Sequence, residues 1–121
     1  MDYKEIGNSG IKVSSICLGT MNFSNPVSNQ DSIKMLHWSL DHGINFIDTA
    51  DIYEGYDRFM GSPGGKAESI IGEGLKSKRN QAIITTKVGN HVGKTEYEGM
   101  GLGKNHITHQ INASLKRMKT D

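Results

Sequence analysis

"NFIDTADIYEG", residues 45–55, is an apolar run that stops on a carboxylate, Asp48, and then carries a second carboxylate, Asp51, and a phenol, Tyr53. Its first half, with "INFID" as the strand, suits burial on both faces. A strand that ends on acids and a phenol instead of ordinary turn residues puts chemistry at its C-terminal end. Outward from this stretch, strand and helix patterns alternate. Upstream, "SSICLG" is a short apolar run closed by Gly19 and predicts a strand buried on both faces, with Cys17 as a small core residue. Between the two strands, Ile33, Leu36 and Leu40 recur at helical spacing from Ser28 to His42, with Ser28 and Asp31 as a capping pair and Gly43 as the stop. Downstream, Ala67, Ile70, Ile71 and Leu75 mark a second amphipathic helix that ends in the basic run "KSKR". "AIITTK" is the third strand, and Ile107, Ile111, Leu115 and Met118 form a third helical stripe. Ahead of all of them, Tyr3 to Ile6, a turn at Asn8-Ser9-Gly10 and a return through Lys12 and Val13 predict a hairpin.

The order is a hairpin over residues 1–14 and three βα units over residues 15–121, one domain in all. By the crossover rule, βαβαβα means parallel strands with helices packed outside. Pattern alone does not separate an open doubly wound sheet from a closed barrel. In either, Gly19-Thr20, Asp48 and Lys87 fall at the C-terminal strand ends, which is the active face. The loops that follow, residues 51–65 and 88–103, are long and glycine-rich, and loops of that length in a compact domain are more often functional than accidental.

Composition narrows the partner. Fourteen Lys plus Arg against thirteen Asp plus Glu give a net charge of +1, with no electrostatic footprint for nucleic acid or an anionic membrane. The expected partner is a small molecule. One cysteine forms no internal disulfide, the polar start "MDYKEIGNSG" is no signal peptide, and no apolar run approaches a membrane span. A reducing, cytoplasmic setting is the expectation.

Asp48, Tyr53 and Lys87 together suggest a tuned proton donor. A tyrosine, with a pKa of about 10, becomes a useful acid near neutrality only if its phenolate is stabilised. An ammonium from Lys87 on the neighbouring strand would do so, and Asp48 would hold that lysine charged and in place. Such a donor suits a carbonyl that receives a hydride. Each residue also has a plainer role open to it: a turn cap, a packed loop tyrosine, a structural ion pair between strands. Spacing leaves hydrolase-like and dehydrogenase-like α/β folds both open.

Other motifs fail. "GSPGGKA" has Met60 and Ala67 where a phosphate loop needs its first glycine and its hydroxyl, and "GMGLG" lacks the dinucleotide-binding spacing. His106 and His109 lie three apart without a supporting cluster of cysteines or carboxylates, so both are expected to be solvated helix residues and no metal is expected. His37 and His42 are expected on a helix surface and His91 in an exposed loop. Trp38 is open between helix-to-sheet packing and an interface.

"VSSICLGTMNF", "LDHGINFIDTADIYEG" and "IITTKVG" resemble the N-terminal portion of the aldo-keto reductases, including reductases similar to voltage-gated potassium-channel beta subunits. The resemblance implies an α/β fold that is the N-terminal part of a (β/α)8 TIM barrel with a hairpin at its bottom, NADPH as cofactor, and reversible reduction of a small carbonyl substrate to an alcohol. By motif, Asp48, Tyr53 and Lys87 correspond to three of the family's catalytic residues, with Tyr53 as proton donor. Gly19, Thr20 and Met21, with Asp48, correspond to the part of the site beside the nicotinamide. Asp51 gains no catalytic role and is expected to shape the loop or to lie against a helix.

Two departures accompany the resemblance. Ala67 in "GKAES" stands where many relatives have a serine, so that helix is expected to be capped differently. The family's catalytic histidine follows the fourth strand, and its sites for the cofactor phosphates come from later strands; none of the five histidines here takes that position. A typical barrel has about 250 residues, so the chain is expected to be part of one, inactive by itself and prone to self-association through exposed barrel strands. The alternatives are a cofactor-binding regulatory subunit similar to the channel beta subunits, or a fragment without function.

Overall fold

In the computed structural model, which describes residues 1–93 and 100–121, the chain opens with an antiparallel hairpin of β1 (Tyr3–Glu5) and β2 (Lys12–Ser14), Lys4 opposite Val13. It is tied to the start of the central strand. Asn45 Oδ1 accepts from the Ser14 backbone N–H at 2.7 Å, its Nδ2 donates to the Lys12 carbonyl, and Tyr3 Oη donates to the Gly43 carbonyl at 2.8 Å. The hairpin therefore closes the end of the sheet opposite to Asp48.

Three parallel strands follow: β3 (Cys17–Gly19), β4 (Phe46–Asp48) and β5 (Ile83–Thr85), in the order β3-β4-β5. Between and after them come α1 (Asn29–Asp41), α2 (Lys66–Gly74) and α3 (Lys104–Met118). α1 packs on α2 and α2 on α3, so the helices form one layer on one side of the sheet. Sequential strand order with these helices on one side differs from a doubly wound sheet, which reverses its order and places helices on both faces.

The core lies between sheet and helices. Ile47 of β4 is fully buried against Leu36 of α1 and Ala67, Ile70, Ile71 and Leu75 around α2, with Phe23 and Ala82 beneath the connections. Strand alternation then turns Phe46 and Asp48 to the opposite face. α1 begins as its sequence predicts: the Ser28 hydroxyl accepts from the Asp31 N–H at 3.1 Å, and Gly43, at φ 82°, ends the turn in the left-handed region.

Several expectations are corrected. β3 is not buried on both faces: Leu18 packs toward the core while Cys17 is exposed on the other side, so the cysteine is no core residue. α2 ends at Gly74, and "KSKR" lies beyond it in a turn and a 3-10 turn, Arg79–Gln81, so it does not complement that helix's dipole. Gly65 heads α2 with no side-chain cap, in keeping with the departure at Ala67. On α3 the buried stripe is His106, Gln110, Ser114 and Met118, whereas Ile107 and Ile111 are exposed. The helix is rotated by one residue from the expected face, and its Arg117, bonded to Ser114, meets Glu68 of α2 in a polar contact. His106 is accordingly buried and not solvated. His37 is half-buried, with Nε2 2.6 Å from the Gly74 carbonyl of α2. Trp38 is exposed and stacks on His42 at 3.9 Å, away from the sheet.

Candidate active site

Register places the site residues. Gly19, Asp48 and Thr85 stand abreast across the three strands, the last paired positions before the chain leaves the sheet. Thr20 then donates both its backbone N–H, at 3.1 Å, and its hydroxyl, at 3.0 Å, to the Asp48 carbonyl. On the other side, the Thr85 carbonyl accepts from the Thr49 N–H at 2.9 Å and the Lys87 carbonyl from the Asp51 N–H at 3.1 Å. The ladder thus continues past the strands, and the backbone that carries Asp48, Thr49 and Asp51 is held from both flanks.

On this frame Lys87 Nζ donates to Asp48 Oδ2 at 2.6 Å and to the Thr49 carbonyl at 2.7 Å, and lies 4.8 Å from the centroid of the Tyr53 ring. Thr85 Oγ1 donates to the other carboxylate oxygen, Asp48 Oδ1, at 3.1 Å. Partial burial by itself would lower the lysine's pKa. Hydrogen bonding and charge from Asp48, and then from Tyr53, outweigh burial and hold it above its ordinary value. Lys87 is thereby a fixed cation, pinned by two oxygens, Asp48 Oδ2 and the Thr49 carbonyl, and set beside a phenol. Tyr53 is held through its backbone, its N–H donating to the Ala50 carbonyl and its carbonyl accepting from the Ala67 N–H that opens α2.

Gly19, Thr20, Met21, Asn22, Asp48, Tyr53 and Tyr56 line an open depression of about 280 Å³ beside this trio. Thr20 is fully buried and Met21 is exposed on its rim. Cys17 also faces this end, but desolvation and then the charge of Asp48 raise its thiol pKa against the pull of Lys87. It lacks the lowered pKa of a reactive thiol. The two long loops meet over the strand ends: Arg58 donates to the Ile52 carbonyl at 3.2 Å and to the His91 carbonyl, and the Gly93 N–H donates to the Ser62 carbonyl at 2.8 Å. His91 is half-buried there, and not a freely solvated loop residue. Residues 94–99, with most of the glycine-rich second loop's polar side chains, lie outside the described residues.

Behind the trio is a buried charged cluster that the sequence reading did not find. Glu68 of α2, fully buried, accepts from Thr86 Oγ1 at 2.6 Å and from Arg117 Nε of α3 at 2.6 Å, and Arg117 Nη2 donates to Ser114 Oγ at 3.2 Å. Asp51 is buried beside it, with a pKa pushed up to about 6 by desolvation and then by the charge of Glu68, against Arg117 and His106. The signal was present in the sequence: Glu68 falls on the apolar stripe of Ile71 and Leu75, and a carboxylate there needs a buried partner. Among the described residues no group of three or more His, Cys, Asp or Glu side chains is placed to hold a metal ion, and no helix is long and apolar enough to cross a membrane.

The model of the Aldo/keto reductase family matches residues 15–121. The chain belongs to the aldo-keto reductase family. Among curated aldo-keto reductase relatives, it is 36% identical to the "Uncharacterized oxidoreductase YrpG" of Bacillus subtilis, matching all of this chain and 37% of that one. It is 33% identical to the "Probable voltage-gated potassium channel subunit beta" of Arabidopsis thaliana, matching all of this chain and 35% of that one. Among solved structures, the aldo-keto reductase AKR11C1 from Bacillus halodurans, in its holo form, superimposes with a TM-score of 0.80 at 30% identity, over all of this chain and 37% of that one. The chain spans a little over a third of the length of these relatives. The fold of the aldo-keto reductases is a TIM barrel, and the three parallel βα units found here are of the kind that build one.

Proposed function

We propose that this chain carries the proton-donor half of the active site of an NADPH-dependent reductase that converts small aldehydes and ketones to alcohols, and that it forms the N-terminal units of a (β/α)8 barrel. The observation that carries this is the position of Lys87 Nζ, 2.6 Å from Asp48 and 4.8 Å from the centre of the Tyr53 ring. Tyr53 is the proton donor. When its hydroxyl gives a proton to a carbonyl oxygen, the charge left on the phenolate faces the Lys87 ammonium, which stabilises it. Asp48 keeps that ammonium oriented and charged, and Thr85 fixes Asp48 from its far oxygen.

The depression lined by Gly19, Thr20, Met21 and Asp48 fits the nicotinamide end of the cofactor. It is open, it adjoins Tyr53, and an added Cβ at Gly19 would meet nothing within 4 Å, so a flat ring can approach the strand end. NADPH, when bound, supplies the hydride. The chain's own residues deliver the proton. The partner is a small carbonyl compound, and the site of action is the cytoplasm, as the single unpaired cysteine and balanced charge suggest.

A second proposal, a regulatory subunit that binds the cofactor with little turnover, draws on the similarity to the Arabidopsis channel subunit. Aldehyde-dependent oxidation of NADPH, measured on a complete barrel that contains these units, separates the two. Tyr53→Phe is expected to lower that rate by roughly 10²-fold or more with cofactor affinity little changed, because the substitution removes the acid and little else. An unchanged rate would move the proton-donor role to another group.

A further inference from the structure

Asp51 lies between Asp48 and Tyr53 in the chain, yet its side chain turns away from the depression into the interior. It is 1% exposed, and its Oδ2 has no hydrogen-bond partner among the described residues. Among the described residues, the charged and titratable groups that face it are Glu68 from α2 and His106 and Arg117 from α3. His106 is buried as well, and both of its ring nitrogens are without partners among the described residues. The Asp51 carboxyl accepts from the Ile52 backbone N–H but keeps Oδ2 without a partner among the described residues, beside an imidazole with none, so the free oxygen can serve as donor or acceptor according to whether the carboxyl holds a proton. A protonated Asp51 donates; an ionised one accepts, and is drawn to the cationic side of the cluster and repelled by Glu68.

The backbone around Asp51 is tied directly to the residues proposed to do the chemistry. Its N–H donates to the Lys87 carbonyl at 3.1 Å, and Tyr53 follows two residues later in the same turn. The strand end before Lys87 is bound to the same cluster through Thr86 and Glu68. Gly64 closes the far side: a Cβ there would lie 2.2 Å from the Asp51 carbonyl oxygen, so the loop backbone packs against Asp51 with no slack. The Asp51 backbone is thus held from both sides, by Lys87 and by Gly64, within the turn that carries Tyr53.

We propose that Asp51 is a positioning residue whose carboxyl, by changing between donor and acceptor beneath the loop, sets how Tyr53 sits against Lys87. The Tyr53–Lys87 arrangement is then coupled to an ionisation of neither residue. The proposal rests on the assignment of Tyr53 and Lys87 as the proton donor and its partner, but its test needs no turnover.

The experiment is a titration of the protein by nuclear magnetic resonance from about pH 4 to about pH 8, across the carboxylate and imidazole ranges. It follows the carboxyl carbon of Asp51, the ring of His106, the ring protons of Tyr53 and the side chain of Lys87. The expected result is that Tyr53 and Lys87 report an inflection whose midpoint coincides with that of the Asp51 carboxyl, near the value of about 6, and that Asp51→Asn abolishes it. Flat Tyr53 and Lys87 signals, a midpoint that follows His106 and not Asp51, or an inflection that persists in Asp51→Asn would each overturn the proposal. Should Asp51→Asn not fold, the coincidence of midpoints in the unaltered protein decides. A protein that passes the titration but reduces no carbonyl fails only the proposed function; an active reductase with flat Tyr53 signals fails only this inference.

Discussion

At the scale of single residues, two carboxylates three positions apart have opposite fates. Asp48 sits at the rim with a lysine 2.6 Å away and a threonine on its other oxygen, whereas Asp51 points inward to a site where desolvation and Glu68 work against its charge. The consequence for stability has a definite sign. Burial pushes the Asp51 carboxyl up to about 6, above its ordinary value of 3.8. Between those values the native state binds more protons than the unfolded chain, so stability falls as pH rises through that window. Above it the full cost is present, on the order of 2 to 3 kcal/mol. Asp51→Asn, which cannot ionise, is expected to be more stable than the unaltered protein at pH 7 by up to that amount and indistinguishable from it near pH 4. Urea denaturation at the two pH values measures this. A loss of stability at pH 7 would mean that the ionised carboxylate gains more from His106 and Arg117 than burial takes away.

At the scale of elements, close approach between helices decides positions that propensity would choose differently. Gly72 lies in the middle of α2, where alanine is favoured intrinsically by about 1 kcal/mol. A Cβ at Gly72, however, would lie 2.5 Å from the Arg117 carbonyl oxygen and 2.8 Å from the Met118 backbone, on the last turn of α3. These are backbone atoms that cannot rotate aside, and overpacking of this kind costs about 1 to 3 kcal/mol. Sterics at backbone atoms oppose the propensity gain, and Gly72→Ala is expected to destabilise the protein by a net of up to about 2 kcal/mol. Thermal melting of the variant tests this; an increase in Tm would show that α3 can withdraw without loss. On α3, His106, Gln110, Ser114 and Met118 face inward, and Ile107 and Ile111 are left exposed.

At the scale of the whole molecule, Glu68 joins parts of the chain that are distant in sequence. Its two oxygens hold the end of β5 through Thr86 and the last turn of α3 through Arg117. Removing the arginine leaves a fully buried carboxylate without its counter-charge, and breaking such a pair costs about 3 to 5 kcal/mol. That is a large share of the roughly 5 to 15 kcal/mol that holds a domain folded. Arg117→Ala is expected to lower stability by this amount, and Arg117→Met combined with Glu68→Gln to recover most of it, because the second change removes the stranded charge. Denaturant titration of the single and double variants checks this. Equal losses in both would assign the cost to packing around the arginine's stem.

Periodicity and strand-end chemistry made the order of elements, the hairpin, the α1 caps and the trio Asp48, Tyr53 and Lys87 legible in the sequence. These depend on local rules: a buried strand shows as an apolar run, a cap as a hydroxyl before a helix, and functional side chains gather where parallel strands end. Pattern could not separate a barrel sector from a doubly wound sheet, because the side on which successive helices pack leaves no periodic trace in the strands. Nor could it orient α3 or expose Cys17, since a stripe's partner depends on which surface it meets. The buried cluster of Asp51, Glu68, His106 and Arg117 was the least legible. It draws on residues up to 66 positions apart, and a charged side chain reads as solvated until the fold places its counter-charge beside it. Which residues could do chemistry was a property of the sequence; which of them are held together was decided by the tertiary structure, through contacts whose partners are remote along the chain.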